Sequence, residues 1–422
     1  MAREMKDSGI EWIGEIPSEW KTCRLRFLCS IATGNQDTQD NDPDGIYPFY
    51  VRSPIVERSN DYTFEGEAIL MAGDGVGAGK VFHYVNGKYG CHQRVYSIQR
   101  ITNISRRFLY YYLCNRFYIS IEMANSKSTV DSVRLNMLSD FPVAIPNKNE
   151  QQAIADFLDT QCVHIDSVIE KTCAAVEEYK KLKQAVITQA VTKGIRPNRE
   201  MKDSGIEWIG EIPREWRMTK IKVGVSKVGS GKTPSGGAEV YADEGIIFLR
   251  SQNIYDTGIV IDSPTFITNE TDEEMKNTRV QPNDVLLNIT GGSIGRCCIF
   301  PNYLKQANVN QHVSIVRVIK TIILSEFMHL YWISDLGKMS IQLFQTGGNR
   351  EGMTADAIKN SPIAIPDLPE QSEIVAYLDE KTAAIDSLIQ KKEQLITELE
   401  AYKKSLIYEY VTGKKEVPVH AH

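Results

Sequence analysis

The sequence predicts an α+β protein in which two mixed α/β domains are each followed by a long helix. Three observations predict this fold class. Residues 3–17 recur without a change at 199–213, so the chain repeats one plan. Each copy then has short β-rich runs separated by Gly, Asn, Asp and Pro. Each copy ends in a segment with apolar side chains at heptad spacing, 150–192 and 370–412.

The first element of each copy is a Trp-containing segment, 3–20 and 199–216, here called the Trp motif. A second match pairs 141–159 with 361–379. The offset between copies grows from 196 to 220, so the second copy carries 220 − 196 = 24 extra residues. Weaker matches at Val51-Arg52-Ser53/Leu249-Arg250-Ser251 and Gln93-Arg94-Val95/Gln311-His312-Val313 place most of this insertion within 254–284.

The variable regions, 18–140 and 214–360, are predicted to be mixed α+β. Each combines alternating or wholly apolar β-rich runs with one aromatic helical patch, at 108–113 and 327–333. The two regions differ in sequence, although they occupy the same place in each copy. We therefore expect two domains of similar architecture with different surfaces.

The heptad segments are predicted to form two helices of about 63 Å that pair antiparallel. Asn149 and Pro369 suit the helix starts, and Gly194 and Gly413 suit the stops. One apolar stripe on such a helix must be covered, and its own duplicate is the nearest partner. The predicted helix-pair interface comprises Leu158, Ile165, Val168, Tyr179, Leu182, Leu378, Ile385, Leu388, Leu395 and Leu399.

These elements predict a linear organisation. The predicted boundaries are 1–149 for the Trp motif and first mixed domain, 150–194 for the central helix, 195–369 for the second Trp motif and mixed domain, 370–415 for the C-terminal helix, and 416–422 for a tail.

The composition predicts a cytoplasmic protein. The chain of 422 residues has 48 basic and 54 acidic side chains, which gives a net charge of −6 and excludes a uniformly basic nucleic-acid coat. No run approaches the roughly 18 apolar residues of a membrane span, and no signal peptide is evident. The eight cysteines have no CxxC spacing, so we expect reduced thiols and no zinc site.

Two glycine-rich segments fail the patterns of nucleotide loops. Residues 228–233 end in Gly-Lys-Thr, but Ser226 stands where the Walker pattern needs Gly, and Pro234 where its helix should begin. Residues 73–80 fit GxGxxG in no register. The sequence also lacks a nucleophile beside a base and the Asn/Asp-Pro-Pro motif of adenine methyltransferases. We therefore predict that this chain is not an enzyme and binds no cofactor or metal.

What remains is a set of long polar side chains at matched places in the two variable regions. Arg, Gln and Asn carry the forked donors and acceptors that read base edges in DNA. For any single residue, a solvated surface group is the alternative interpretation. The candidate DNA-contacting residues are Arg52, Ser53, Lys80, Gln93, Arg94, Lys232, Arg250, Ser251, Gln252, Asn253, Arg296, Asn310, Gln311, His312 and Arg350.

With these residues in view, the sequence resembles a known family, the specificity subunits of Type I restriction–modification systems. The likeness rests on the duplicated DSGIEWIGEIP…EW motif and on the paired PxAIP…EQ…LD…ID helices. Residues 287–296 with 308–313, and 73–80 with 92–95, also resemble that family. The likeness covers essentially the whole chain.

The resemblance implies two mixed α/β target-recognition domains in pseudo-twofold arrangement, separated by a long antiparallel two-helix, coiled-coil-like spacer. It implies that each domain reads one half of a bipartite, asymmetric site in double-stranded DNA. It also implies two modification (methyltransferase) subunits as partners, with S-adenosylmethionine, and restriction/translocase subunits with ATP and Mg²⁺.

Two other functions fit the residues. One is a duplicated coiled-coil scaffold whose variable domains bind proteins. The other is a stand-alone DNA-binding regulator without enzyme partners.

Overall fold

The computed structural model describes residues 3–124, 132–304, 306–345 and 352–418. The chain divides into two compact units. Unit 1 comprises Met1–Cys173 and Glu393–His422, and unit 2 comprises Ala174–Lys392. Each unit therefore combines one mixed domain with a segment of each long helix, whereas the predicted domain boundaries follow the chain in order.

Unit 1 opens with the first Trp motif and continues through the first mixed domain. Its strands are β1 (Met5–Asp7), β2 (Glu15–Pro17), β3 (Lys21–Arg24), β4 (Ser30–Thr33), β5 (Tyr47–Tyr50), β6 (Glu57–Ser59), β7 (Phe64–Glu65), β8 (Ala68–Ala72), β9 (Phe82–Val85), β10 (Lys88–Cys91), β11 (Val95–Gln99) and β12 (Pro142–Ile145). Its helices are α1 (Arg106–Ala124), α2 (Leu135–Ser139) and the first part of α3 (Lys148–Lys193).

Unit 2 repeats this plan with additions. Its strands are β13 (Met201–Asp203), β14 (Glu211–Pro213), β15 (Arg217–Lys220), β16 (Val225–Ser230), β17 (Tyr241–Ala242), β18 (Ile246–Leu249), β19 (Ile254–Tyr255), β20 (Gly258–Ile259), β21 (Phe266–Ile267), β22 (Arg279–Val280), β23 (Val285–Asn288), β24 (Cys297–Ile299), β25 (Ala307–Val309), β26 (Val313–Val318) and β27 (Pro362–Ile365). Its helices are α4 (Asn269–Glu274), α5 (Ser325–Ile333), α6 (Asp335–Phe344) and α7 (Ala355–Asn360), and α8 (Leu368–Val411) begins here.

The sheets of the two units correspond strand by strand. The order β4-β11-β8-β9 in unit 1 matches β16-β26-β23-β24 in unit 2. A second sheet in each unit has one parallel pair, β5 with β10 and β18 with β25. All residues of β8 and β23 are buried, because each strand is central and covered on both faces. Their sequences are accordingly apolar without alternation, except for the buried Asn288 that ends β23.

The strand register confirms where the insertion lies. Tyr50 corresponds to Leu249, an offset of 199, and Ala72 corresponds to Asn288, an offset of 216. The difference, 216 − 199 = 17 residues, is most of the expected extra length. It builds the hairpin β19–β20 and helix α4, which lie before and after β21, the counterpart of β6.

The core of each domain is built around the tryptophan that ends its Trp motif. Trp20 is fully buried and meets Phe108 of α1 edge-on, with ring centroids 6.2 Å apart. Trp216 meets Phe327 of α5 in the same way at 6.4 Å. The predicted aromatic helical patches are confirmed as the parts of α1 and α5 that face these tryptophans. Edge-to-face packing of this kind adds to the burial of large apolar surfaces.

The long helices begin slightly earlier than predicted. Asn149 lies inside α3, so its predicted role at the helix start is wrong. Asn147 instead accepts a 3.0 Å hydrogen bond from the backbone N–H of Glu150, and Asp367 does the same for Glu370 at 2.9 Å. The predicted stops are confirmed, because Gly194 and Gly413 have φ of +72° and +71° directly after the helix ends.

The two helices pair antiparallel within each unit. In unit 1 the ring of Phe157 packs at a tilt against that of Tyr410, with centroids 4.6 Å apart, and Asp166 binds Lys403 at 2.6 Å. In unit 2 Lys183 binds Asp386 at 2.7 Å. Residues that come later in α3 thus meet residues that come earlier in α8. The predicted fold class, mixed α/β domains with a long antiparallel helix pair, is confirmed.

The predicted helix-pair positions differ in burial. Leu158, Ile165, Leu378 and Ile385 are buried, whereas Val168, Tyr179 and Leu399 are half-buried. Leu182, Leu388 and Leu395 depart from the prediction, because 48%, 42% and 40% of their surfaces are exposed. On a straight helix, residues seven apart are rotated by about 20° relative to each other. Positions at heptad spacing near the middle of the helix therefore turn away from the partner helix.

Candidate nucleic-acid interface

The mixed domains are fixed to the long helices by a repeated Glu–Gln pair. Gln151 is buried, accepts from the N–H of Ser105 at 2.6 Å and donates to the carbonyl of Pro146 at 2.8 Å. Gln371 repeats this with the N–H of Leu324 at 2.8 Å and the carbonyl of Pro366 at 3.0 Å. The sequence showed these glutamines only as identities between the copies and gave them no role.

The preceding glutamates bind the Trp motifs. Glu150 accepts hydrogen bonds from the indole N–H of Trp20 at 3.0 Å and from Arg3 at 2.7 Å. Glu370 forms an ion pair with the guanidinium of Arg199, which is the equivalent of Arg3. The sequence repeats both Glu and Arg, but only the contacts show that they form a junction. The junctions hold the domains that carry the candidate residues.

Above this scaffold, loops at the ends of the central strands converge in both units with the same backbone hydrogen bonds. Gly73 N–H donates to the carbonyl of Arg94 at 2.8 Å, and Ile289 N–H donates to that of His312 at 3.0 Å. The bond from Val133 to Gly73 has its counterpart from Met353 to Ile289, at 2.8 and 2.9 Å. Equivalent backbone therefore carries different side chains.

Two glycines are required where the chain crosses these loops. A Cβ on Gly34 would lie 1.8 Å from the carbonyl oxygen of Cys91, and one on Gly231 would lie 2.0 Å from that of Val309. Gly231 belongs to the segment that resembles a phosphate loop. The close approach of two backbones explains this glycine without a nucleotide.

In unit 1, one carboxylate holds two of the candidate arginines. Asp74 lies 3.2 Å from Nη1 of Arg52 and 3.6 Å from Nε of Arg94. Both arginines are well exposed, at 46% and 64% of their side chains. Arg52, Ser53, Asp74 and Lys80 line a groove of about 500 Å³. The groove and Asp74 thus bring together four candidates that the sequence places apart, namely Arg52, Ser53, Lys80 and Arg94.

Gln93 is fixed by a second carboxylate. Its Nε2 donates to Asp37 at 3.1 Å, and Asp37 also lies 3.4 Å from Nε2 of the buried His92. The hydrogen bond from the backbone N–H of Thr38 is the main cause that lowers the pKa of Asp37. Asp37 is a member of this cluster that sequence reasoning missed.

In unit 2, four side chains form a hydrogen-bonded chain at the equivalent place. Thr233 donates to Oε1 of Gln311, whose Nε2 donates to Nε2 of His312 at 3.1 Å. The other ring nitrogen of His312 lies 2.5 Å from the hydroxyl of Thr290. Because Nε2 accepts, Nδ1 carries the proton and donates to Thr290. The chain fixes the orientation of the exposed Gln311 amide.

Other candidates in unit 2 have structural roles. Asn253 is buried, accepts from Arg250 N–H at 2.9 Å and donates to the carbonyl of Val260. Asn310 is buried and accepts from His312 N–H at 3.2 Å. Both amides are engaged in holding loops, so the prediction that they contact DNA receives no support from their placement.

The remaining candidates lie at the surface or at the edge of the loops. Nε of Arg250 is buried without a hydrogen-bond partner. Ser53 accepts from the N–H of Ile55, and the carbonyl of Ser251 accepts from Asn288. Gln252 and Lys232 are exposed. Arg350 lies outside the described residues.

Lys80 and Arg296 occupy equivalent positions after the glycine-rich turns. The Lys80 ammonium lies 4.3 Å from the ring centroid of Tyr118, and the Arg296 guanidinium lies 4.7 Å from that of Tyr255. The turns correspond because the N–H of Gly79 and that of Gly295 each donate a 2.9 Å hydrogen bond to the last residue of the strand before the turn, Ala72 and Asn288 respectively. The aromatic faces hold both cations beside the loops.

The predicted match of Arg52 with Arg250 is wrong by one residue. His92 N–H donates to the carbonyl of Tyr50 at 3.1 Å, and Asn310 N–H donates to that of Leu249 at 3.0 Å. Arg250 therefore corresponds to Val51, and Arg52 corresponds to Ser251. A short sequence match cannot detect such a shift, whereas the parallel strand pairing fixes it.

Within the described ranges, every helix is too short or too polar to span a lipid bilayer. In that same part of the chain, no three His, Cys, Asp or Glu side chains gather as a metal site requires. The loop clusters offer hydrogen-bond donors and cations, which suit an anionic, base-bearing ligand.

The family model described as Type I restriction modification DNA specificity domain matches residues 17–172 and 213–398. The chain belongs to this family. Its two matched ranges are the repeated halves of the sequence, and membership confirms the prediction of a non-catalytic specificity subunit. The resemblance noted from the Trp motifs and paired helices is likewise confirmed.

Relatives and a solved structure agree with this family. The EcoDI specificity subunit of Escherichia coli is 31% identical over 48% of this chain and 41% of its own length. The EcoBI specificity subunit of Escherichia coli is 24% identical over 98% of this chain and 90% of its own. A chain from a structural study of complex assembly and conformational transition of the type I R-M system has a TM-score of 0.72 at 15% identity, covering 95% of this chain and 99% of that one. This last likeness supports the fold alone.

Proposed function

We propose that each unit of this specificity subunit reads one half of a bipartite, asymmetric site in double-stranded DNA. One observation carries the proposal: the two units repeat the same backbone bonds under different side chains. Arg94 is replaced by His312, and Asp74 by Thr290, at equivalent positions. Equal scaffolds with unequal donors and acceptors suit two different half-sites.

The helix pair is proposed to set the separation of the half-sites. Half-sites on one face of B-DNA lie about 34–36 Å apart per turn. Helix α3 has 46 residues, and at 1.5 Å each it is about 69 Å long. A spacer of this length reaches across one to two turns.

The same helices are proposed to dock two modification subunits. Apolar side chains remain exposed along them, namely Val163, Leu182, Leu388, Leu395 and Tyr402. Exposed apolar side chains along a rigid element are typical of interaction surfaces. We further propose that the partners supply S-adenosylmethionine and adenine-N6 methylation, and that restriction subunits with ATP and Mg²⁺ add cleavage, all in the cytoplasm.

Methylation mapping of the assembled complex tests the proposal. Exchange of 18–140 for another such domain is expected to change one half-site and leave the other unchanged. Removal of one heptad from each long helix is expected to shorten the non-contacted spacer. A change in both half-sites, or in neither, would refute separate reading by the two units.

Co-purification separates the other functions. A chain that binds a bipartite duplex tightly and recruits no methyltransferase would be a stand-alone regulator. A chain that binds no specific duplex even with a modification subunit present would be a scaffold.

A further inference from the structure

Unit 1 contains a buried arginine without a carboxylate. Arg116 of α1 is only 6% exposed, and its Nε has no hydrogen-bond partner. Its guanidinium lies between the rings of Trp12 and Tyr408, at 5.4 and 4.5 Å from their centroids. Among the described residues, no acidic side chain lies within ion-pair distance of it.

This arrangement differs from the other shielded arginines of the chain. Arg107 pairs with Asp159, Arg199 with Glu370, and Arg317 with Asp284. Burial without a counter-ion disfavours the charged form and lowers the pKa of Arg116. The aromatic faces balance part of this desolvation, but among the described residues they leave the in-plane Nε–H without a hydrogen-bond acceptor.

The arginine lines an open cavity between α1 and the last turns of α8. The cavity measures about 610 Å³, and its described lining has no acidic side chain. Its cations and hydrogen-bonding groups include Lys80, Asn115, Arg116, Tyr118, Lys404 and Tyr408. A cavity of this size holds a small ligand, and the buried Arg116 beside Lys404 favours an anion.

We propose that this cavity is a phosphate-binding site. The planar guanidinium presents paired donors that match two phosphate oxygens, and Lys404 supplies a second positive charge beside it. Lys80 also lines the groove with Arg52 and Asp74, so the cavity adjoins the loop cluster of unit 1. The phosphate comes either from the DNA backbone or from a free nucleotide. If the phosphate belongs to the DNA backbone, this inference rests on the proposed function. If it belongs to a free nucleotide, the inference is independent of that function.

The test uses the full chain and the variants Lys404→Gln, Arg116→Met and Lys391→Gln. Lys404 and Lys391 are both exposed on α8, so Lys391→Gln matches the charge change away from the cavity. Arg116→Met removes the buried charge and keeps an apolar side chain in its place. Should Arg116→Met fold poorly, Lys404→Gln still decides the outcome.

The first measurement is the rise in melting temperature with inorganic pyrophosphate or adenosine monophosphate. A rise in the wild-type chain and in Lys391→Gln, with affinity at least about tenfold weaker in the other two variants, supports a free-phosphate site. The second is the salt dependence of binding to a non-specific duplex. A slope lower by about one in Lys404→Gln and in Arg116→Met, but not in Lys391→Gln, supports a DNA phosphate.

The proposal is overturned when Lys404→Gln and Arg116→Met match the wild-type chain in both measurements. It is also overturned when these variants lose only co-purification with a methyltransferase subunit, since that result assigns the cavity to a protein carboxylate. Methylation by the wild-type assembly is measured in parallel. A wild-type assembly without site-specific methylation refutes the proposed function, whatever the cavity binds.

Discussion

The side-chain amide of Gln151 donates a 2.8 Å hydrogen bond to the carbonyl of Pro146, one turn before it. The same amide accepts from Ser105 N–H, so one buried side chain ties α3 to the segment that enters α1. Gln371 makes the equivalent bonds in unit 2, with an additional one to the carbonyl of Ile322 at 2.9 Å. The buried glutamine is thus one of the side chains that fix each mixed domain to its helix.

We expect Gln151→Ala to destabilise the chain by about 2–4 kcal/mol, because it leaves a buried N–H and a carbonyl without partners. Urea denaturation followed by circular dichroism measures this change. The neighbouring Gln152 is exposed and donates a hydrogen bond to Asp156 on the same helix, so Gln152→Ala is the matched control. Equal stability of the two variants would contradict the role of Gln151.

We expect Asp74→Asn to strengthen binding to non-specific duplex DNA, because it removes a negative charge and releases Arg52 and Arg94. The gain is up to about fivefold, since an exposed ion pair contributes roughly 0–1 kcal/mol. Fluorescence anisotropy over a salt series measures it. Asp44→Asn makes the same charge change at an exposed turn of the same domain and should have a smaller effect.

We expect Gln311→Ala to relax discrimination at one half-site only. A fixed amide that pairs with a base edge contributes about 1–3 kcal/mol of discrimination. Methylation of a randomised duplex library measures the loss, which should fall on the half-site that changes when 214–360 is exchanged. Gln281 is exposed in the same unit, and Gln281→Ala serves as the control. Relaxation of both half-sites would exclude a base contact by Gln311.

We expect His329 to make the chain less stable in mild acid. Burial lowers the pKa of His329, whose Nε2 bonds the carbonyls of Cys297 and Asp256. The folded state therefore binds fewer protons than the unfolded state below the ordinary histidine pKa. The stability contribution is complete above that value and declines as the pH falls.

Melting temperatures between about pH 7 and about pH 5 test this expectation. His329→Gln retains a hydrogen-bond donor and should show a shallower decline than the wild-type chain. His164 is exposed on α3, so His164→Gln should decline as the wild-type chain does. A wild-type decline unchanged by His329→Gln would contradict the assignment.

Part of the loop clusters could be predicted from residue type and recurrence. Lys80 and Arg296 follow glycine-rich turns in both copies, and they do occupy equivalent positions. Asn253 and Asn310 have equally suitable side chains, yet their amides hold backbone groups. Residue type does not reveal whether an amide faces the surface, since that depends on which backbone groups would otherwise remain unsatisfied.

The sequence by itself determined the duplication, the mixed domains, the long antiparallel helices and the family. These depend on periodicity and repetition, which are local properties of the chain. Only the tertiary structure decided that Asp74 and Asp37 hold the polar side chains of unit 1, that Arg52 corresponds to Ser251, and that no carboxylate of the described residues pairs with Arg116. Such relationships depend on strand register and on contacts between distant segments. A shift of one residue changes them without changing the pattern of the sequence.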